Sequence, residues 1–215
     1  NKKLRLTFND NIQSISIDPH KFGYAPKGSS ILLWKDEKMK HNQYFVVQDW
    51  TGGIYASTSL PGSRVGSQIA TTWTTLLYHG YESYKNYSKK IIEKTEYLKN
   101  EISKIDTFHV IGNPNVNVVA FYSDTYPVGQ LSEHLTSFLW NVNILQNPIC
   151  LHICVTPKNI KACQDLPSIL RLLLKHKVKN SDKSITAIYG MAAQIPDKSI
   201  ITEIVENYLD LTTKC

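Results

Sequence analysis

A histidine and a lysine stand side by side where a short apolar run ends. The stretch SISIDPHKFGYAPKGSS, residues 14–30, places His20 and Lys21 between a strand-like segment and a turn rich in glycine and proline. A lysine amine held at the end of a rigid strand can condense with a carbonyl group, whereas a solvated ammonium is not activated for that reaction. A lysine at a strand end is, however, more often a solvated charge. The stretch therefore leaves two interpretations, covalent chemistry at Lys21 or an ordinary loop.

Lys27 is a second candidate for binding chemistry. It lies between Pro26, which stiffens the turn, and Gly28, which lets another group approach the backbone closely. Its ammonium group could serve as a point charge for a phosphate. A lysine on a surface turn would have the same neighbours, so both interpretations stay open.

The glycine-rich stretch DWTGGIYASTSLPGSRVG offers a candidate anion site. Its composition predicts a long loop, and loops of this length in compact domains commonly bind a ligand. Gly52 and Gly53 would let backbone amides face a phosphate, and Ser57 adds a hydroxyl group. Tyr55 would then either reach a ligand or pack against its neighbours.

Composition and charge limit the classes of function. The chain has 215 residues, 42% of them hydrophobic, which is enough for a substantial core in one large or two small domains. Lysine and arginine outnumber aspartate and glutamate by 24 to 18, and the net charge of +6 suits a phosphate-bearing substrate or an anionic membrane surface. The lysines are scattered without an arginine-rich stripe, which argues against a nucleic-acid partner. No apolar run reaches the length of a membrane-spanning helix.

Three residues with metal-binding side chains alternate along one strand-like segment: Cys150, His152 and Cys154. Neighbours on one face of a strand lie about 6.6 to 7 Å apart, too far for all three to bind one zinc ion. We therefore predict strand packing and no metal site.

Cysteine usage bears on the cellular compartment. Four cysteines are too few and too unevenly spaced for a disulfide framework, which predicts a reducing, intracellular compartment. The chain begins at Asn1 rather than at methionine. We expect a preceding segment, which would carry any targeting signal or membrane anchor.

Hydrophobic periodicity predicts an α/β body joined by a helix to a smaller α+β domain. Two short buried strands, residues 14–17 and 30–34, flank the turn that carries Lys21. From about Ser67, apolar residues recur every three or four positions, which predicts a long helix or two helices broken near Gly80. Further strands are predicted in QYFVV, FHVIG, NVVAFY, NVNIL and CLHICV, and further helices in VGQLSEHLTSFLW, ACQDLPSILRLLLKHK and IITEIVENYLDL.

Several motifs together resemble the sphingosine-1-phosphate lyases, a family of fold-type-I enzymes that depend on pyridoxal 5′-phosphate (PLP). The motifs are DPHKFGYAPKGSS, DWTGGIYAS, GSRVG, NILQNP with LHICVT, and AIYGMA, and they follow the family's order and spacing over nearly the whole chain. The resemblance covers the carboxyl-terminal half of such an enzyme. It implies a fold-type-I PLP-dependent transferase-like fold of the α/β class. Residues 1–80 would end the PLP-binding large domain, 81–105 would form a connecting helix, and 106–215 would form the small α+β domain.

The resemblance also implies which residues contact the cofactor. Lys21 would hold PLP as a Schiff base and take part in catalysis, and His20 would contact the cofactor phosphate or orient its ring. Gly52, Gly53 and Ser57 would bind the cofactor through the glycine-rich stretch.

Substrate binding and assembly follow from the same resemblance. Lys27 would bind the phosphate of the substrate. Tyr55 would reach into the neighbouring active site of a homodimer with shared active sites. Asp18 is interpreted as a residue that supports the turn, because this family takes the partner of the pyridine nitrogen from its amino-terminal half.

The implied activity is that of a PLP-dependent carbon–carbon lyase of sphingolipid degradation. Retro-aldol cleavage of a phosphorylated sphingoid base, such as sphingosine 1-phosphate, would give a long-chain aldehyde and phosphoethanolamine. Two alternatives stay open, a PLP-dependent amino-acid decarboxylase of the same fold and a non-catalytic fragment or binding module. Thr58 and Val65 stand where the family favours proline, which could change the path of the glycine-rich stretch.

Overall fold

The computed structural model describes residues 8–9, 11–175 and 196–213. The chain forms two compact units, Asn1–Lys85 and Asn86–Cys215. The boundary between them falls inside one long helix. The domain limits expected from the sequence, 1–80, 81–105 and 106–215, stay a prediction.

Unit 1 contains two antiparallel strand pairs. The elements are β1 (Ser14–Ile17), β2 (Ile31–Trp34), the short helix α1 (Glu37–Lys40), a 3₁₀ turn (His41–Gln43), β3 (Phe45–Trp50) and β4 (Gly53–Ser57). Strand β1 pairs with β2 and β3 pairs with β4, both antiparallel. Helix α1 was not predicted; it begins where the Asp36 carboxylate accepts a hydrogen bond from the Met39 amide.

Strands β1 and β2 lie at the predicted positions, but the prediction that they are buried is wrong. Ile17, Leu32 and Leu33 are all exposed in the chain that the structure describes. Apolar, β-branched residues favour a strand whatever covers it, so their pattern indicates the element and not its environment.

The glycine-rich stretch DWTGGIYASTSLPGSRVG is not one long loop, so the loop predicted there is wrong. Strand β3 continues through Asp49 to Trp50, a tight turn follows, and β4 returns with Val47 opposite Tyr55 and Trp50 opposite Gly53. A bulge between Val47 and Trp50 shifts the register. The irregular part is limited to the residues between Ser57 and the next helix.

The long helix α2 (Gly66–Ile102) carries the predicted break. Gly80 has a left-handed φ of 64°, a conformation that glycine adopts without steric cost. After the break, Ile91, Leu98 and Ile102 are buried in unit 2. Before it, the apolar stripe is largely exposed in unit 1, including Trp73.

Unit 2 is a four-stranded antiparallel sheet with helices. Its further elements are β5 (Phe108–Val110), β6 (Val118–Ser123), α3 (Val128–Ser137), β7 (Asn143–Leu145), β8 (Cys150–Cys154), a 3₁₀ turn (Ala162–Gln164), α4 (Leu166–Lys175) and α5 (Ser199–Thr213). The strand order is β5-β6-β8-β7. The core lies between the sheet, the end of α2, α3 and α4, with Phe121, Leu131, Leu151 and Leu170 fully buried. These elements match the predicted α+β arrangement.

Strand β8 carries the alternating metal-type side chains. Leu151 and Ile153 pack into the core. On the other face of the strand, Cys150 is buried, His152 is half-buried and Cys154 is exposed. In the described part of the chain, no group of histidine, cysteine and acidic side chains is placed to hold a metal ion.

The AIYGMA motif lies outside the described residues. Within the ranges 8–9, 11–175 and 196–213, no helix is both long and apolar enough to cross a bilayer.

Candidate active site

The turn after β1, residues 18–25, carries the candidate reactive lysine. Three backbone hydrogen bonds close it: the Lys21 amide donates to the Asp18 carbonyl at 3.0 Å, the Tyr24 amide to Lys21 at 3.3 Å, and the Ala25 amide to Pro19 at 3.1 Å. Gly23 is needed for this path, because a Cβ there would lie 2.5 Å from the Pro19 carbonyl oxygen. The three hydrogen bonds and Gly23 therefore restrict the backbone of residues 18–25 to one tight turn.

The Lys21 amine projects from this turn toward solvent. Its Nζ lies 2.8 Å from Oδ2 of Asp18, and the Lys21 side chain is 64% exposed. The hydrogen bond and the positive charge of Lys21 hold the pKa of the Asp18 carboxyl below its ordinary value. Asp18 is thus the ion-pair partner of the amine, and its interpretation as a residue that supports the turn stays a prediction. The ion pair fixes the place of Nζ while leaving it open to solvent, so the amine would be activated only once a bound cofactor excludes water from it.

His20 sits beside Lys21 with one ring nitrogen unsatisfied. Nδ1 of His20 is buried and has no hydrogen-bond partner among the described residues. Buried polar atoms are nearly always paired, so this nitrogen, like Nδ1 of His152 in β8, has room for a polar partner that the described residues do not supply. A bound cofactor would supply such a group.

Lys27 lies in the second half of the same loop. It is exposed and forms no ion pair with any residue that the structure describes. Its neighbour Gly28 has a φ of 112°, and a Cβ there would lie 2.5 Å from the Gln68 side chain. Beyond it, the hydroxyls of Ser29 and Thr72 are hydrogen-bonded at 2.7 Å. The loop is thus attached to α2, and Lys27 projects from it as a solvated charge.

The remaining predicted residues lie on the hairpin of β3 and β4. Gly52 lies in its exposed turn, where a Cβ would overlap the ring of Trp50, and Gly53 begins β4 with a φ of 105°. The left-handed φ favours glycine at position 53 whatever the turn binds. The Ser57 hydroxyl donates to the Ser59 carbonyl at 2.5 Å, so its one proton is used locally.

Tyr55 packs on an open aromatic surface of this hairpin. Its ring meets Phe45 and Trp50 edge-on, with centroids 6.1 and 6.3 Å apart. Together with Val47, these residues line a shallow hollow of about 280 Å³. The ring has a packing role in the chain described, and its phenol group remains available to a ligand.

The predicted residues fall into two groups. Among the described residues, no hydrogen bond or ion pair joins the loop that carries His20, Lys21 and Lys27 to the hairpin. Their cofactor and substrate roles stay predictions.

Sequence reasoning missed an aromatic cluster packed against the Lys21 turn. The Tyr84 hydroxyl donates to the Gly23 carbonyl at 2.8 Å. The rings of Tyr24 and Tyr84 are stacked, 6.1 Å apart and 11° from parallel, and His79 packs against both. The sequence offered only a weak signal, the position of Tyr84 on the apolar stripe of α2, since a contact over 61 residues leaves no local pattern.

Comparison with known proteins identifies the class. A family model described as the pyridoxal-dependent decarboxylase conserved domain matches residues 5–123, more than half of the chain. The chain therefore belongs to the pyridoxal-dependent decarboxylase family, whose cofactor is PLP. Its fold is that of the fold-type-I PLP-dependent enzymes, as predicted.

Several proteins similar to this chain are sphingosine-1-phosphate lyases. Sphingosine-1-phosphate lyase of Drosophila melanogaster is 36% identical over 203 residues, which cover 92% of this chain and 37% of that protein. Sphingosine-1-phosphate lyase 1 of Rattus norvegicus is 37% identical over 206 residues, covering 93% and 36%. A solved structure, the sphingosine-1-phosphate lyase of Burkholderia pseudomallei, superposes with a TM-score of 0.78 at 32% identity, over 96% of this chain and 43% of that chain.

These matches confirm the resemblance and define its extent. The chain spans less than half the length of each of these three proteins. The amino-acid decarboxylase alternative is not favoured by relatives of this kind. The residues present fit PLP, since an exposed amine and an unpaired buried imidazole nitrogen lie side by side on one rigid turn.

Proposed function

We propose that this chain carries the reactive lysine of a PLP-dependent carbon–carbon lyase that cleaves phosphorylated sphingoid bases, such as sphingosine 1-phosphate. The products would be a long-chain aldehyde and phosphoethanolamine. The observation that carries the proposal is the accessible Lys21 amine, 2.8 Å from Asp18 on a rigid turn, with the open Nδ1 of His20 beside it. The similarity to sphingosine-1-phosphate lyases over 92% of the chain supports this substrate class.

PLP, when bound, supplies the electron sink that accepts the electron pair of the broken carbon–carbon bond. Lys21 would hold the cofactor through its side-chain amine. When that amine is free it can hold a proton at Nζ, and the Asp18 carboxylate at 2.8 Å would stabilise the ammonium. His20 would contact the cofactor phosphate or orient its ring.

The anionic groups need positive charge and hydrogen-bond donors. Lys27, which is exposed and unpaired among the described residues, provides a charge for the substrate phosphate. Gly52 and Gly53 offer backbone amides at the hairpin turn to the cofactor phosphate. Ser57 can donate its proton to that phosphate only by releasing the Ser59 carbonyl.

We further propose a homodimer with shared active sites that works at a membrane surface. Tyr55, on the open surface of the hairpin, would complete the neighbouring subunit's site. The net charge of +6 favours association with anionic lipid surfaces. The low cysteine content favours a reducing, intracellular compartment.

Replacement of Lys21 tests the activity. In the complete holoenzyme, Lys21→Ala should lower the cleavage of a phosphorylated sphingoid base by roughly 10³-fold or more, as expected for loss of a covalent catalyst. Lys85→Ala, which removes an exposed lysine of α2, should leave the rate unchanged. Borohydride treatment should attach a pyridoxyl group to the peptide that contains Lys21. Undiminished cleavage by Lys21→Ala would rule out the proposed mechanism.

A further inference from the structure

The direction of the Lys21 side chain depends on contacts that lie outside its own turn. Within residues 18–25, only Pro19 and Ala25 are buried, so little apolar packing holds this segment. Its three backbone hydrogen bonds fix the turn internally and leave its orientation on the rest of unit 1 open. The pairing of β1 with β2 and the contacts with α2 therefore orient the turn together.

Tyr84 of α2 contacts the turn close to Lys21. Its hydroxyl donates to the Gly23 carbonyl, two residues after the lysine, at 2.8 Å. Its ring also stacks on Tyr24, whose φ of 54° is left-handed, a conformation that bulky residues seldom adopt. The phenol and the ring thus act on two consecutive residues of the turn.

We propose that Tyr84 is a positioning residue for Lys21. Its hydrogen bond to Gly23 fixes the angle at which the turn presents the amine to the cofactor. This inference rests on the proposed function in one respect, that Lys21 is the reactive amine. Because a hydrogen bond is directional and ring stacking is much less so, the hydroxyl and the ring have separable effects.

Tyr84→Phe removes the hydroxyl and keeps the stacked ring. In the protein without cofactor, the Tyr24 and Ala25 amides should exchange with solvent roughly fivefold faster, because a typical net hydrogen bond changes an opening equilibrium by about that factor. The matched control is Tyr81→Phe on the same helix, since Tyr81 is 77% exposed and its contact with Lys85 involves only the ring. The control should leave exchange in residues 18–25 unchanged.

The holoenzyme gives a second, independent readout. Tyr84→Phe should lower kcat by roughly fivefold while KM for the phosphorylated sphingoid base stays the same, because the lost hydrogen bond acts on the turn of Lys21 and not on Lys27, the residue proposed to bind the substrate phosphate. A general structural defect would instead speed amide exchange across unit 1 and would change kcat and KM together. Tyr81→Phe should match the wild type in both constants.

Incorporation of 3-fluorotyrosine at position 84 provides a variant with the wild-type shape. Its more acidic phenol donates a stronger hydrogen bond, so the Tyr24 and Ala25 amides should exchange more slowly than in the wild type. This variant keeps the test decisive even where Tyr84→Phe folds poorly.

The outcomes separate this inference from the proposed function. If Tyr84→Phe speeds amide exchange at Tyr24 and Ala25 but the holoenzyme cleaves no phosphorylated sphingoid base, the structural role of Tyr84 is supported and the proposed function is wrong. An active holoenzyme in which Tyr84→Phe alters neither exchange nor kcat would overturn the positioning role alone.

Discussion

Gly23 offers a direct test of how tightly the Lys21 turn is built. Alanine at this position places a Cβ 2.5 Å from the Pro19 carbonyl oxygen, whereas ordinary contact begins near 3.4 Å. The two groups must separate by about 0.9 Å. The obstructing atom belongs to the backbone and cannot rotate away. The same carbonyl also accepts the Ala25 amide at 3.1 Å, so this hydrogen bond has to stretch.

The expected cost of Gly23→Ala follows from that displacement. Overpacking of this size costs about 1–3 kcal/mol locally. A shift near 1 Å in a reactive group lowers the rate on the order of 10²-fold. We therefore expect kcat/KM of the holoenzyme for a phosphorylated sphingoid base to fall by roughly 10- to 100-fold, together with faster amide exchange in residues 18–25.

The matched control for Gly23→Ala is Gly66→Ala. Gly66 begins α2, and no heavy atom lies within 4 Å of the position that its Cβ would take. Alanine is also the better helix former by about 0.5–1 kcal/mol. Gly66→Ala should therefore have wild-type activity. Equal activity and equal amide exchange in the two variants would refute the account of the turn.

Two further predictions concern unit 2. Leu131→Ala, at a fully buried position, should lower the free energy of unfolding of this unit by about 2–5 kcal/mol in urea titrations. The control Leu139→Ala, at a position 95% exposed, should change it by less than about 0.5 kcal/mol. Similar losses in both variants would contradict the assigned core. Burial raises the pKa of the Cys163 thiol from 9.0 to about 11, so the stability that the neutral thiol contributes is complete below pH 9.0 and is lost as the pH rises toward 11. Cys163→Ala should flatten that part of the stability profile, and at pH 8 a thiol reagent should label the exposed Cys154 and leave native Cys163 unmodified; fast labelling of Cys163 would disprove its burial.

Much of the secondary structure could be predicted from the sequence because periodicity is a local signal. The strands of unit 2, the long helix and its break at Gly80 all follow from the spacing of apolar residues and from one glycine. The hairpin of β3 and β4 departs from the predicted loop because glycine pairs occur in tight hairpin turns as well as in loops. The pair Thr51–Gly52 is compatible with a tight hairpin turn, and the alternation around it continues on both sides.

The candidate site was only partly accessible to the same reasoning. The neighbourhood of His20 and Lys21 is local, so the motif placed both residues on one turn. The hydrogen bond from Tyr84 to Gly23 joins residues 61 positions apart, and neither periodicity nor composition carries that information. The exposure of Leu32 and Leu33 could not be predicted either, because a strand pattern does not show whether another element packs on the strand.

The hydrophobic interior is divided very unequally between the two units. The cluster of buried apolar side chains belongs to unit 2, while unit 1, which holds every candidate catalytic residue, buries only Pro19, Ala25, Ser59 and Thr72 among its described positions. A calorimetric melt of this chain would consequently record mainly the collapse of unit 2. A substitution that dislodges the reactive amine could leave the midpoint of such a curve where it was, so variants of this region have to be screened with probes that see individual amides.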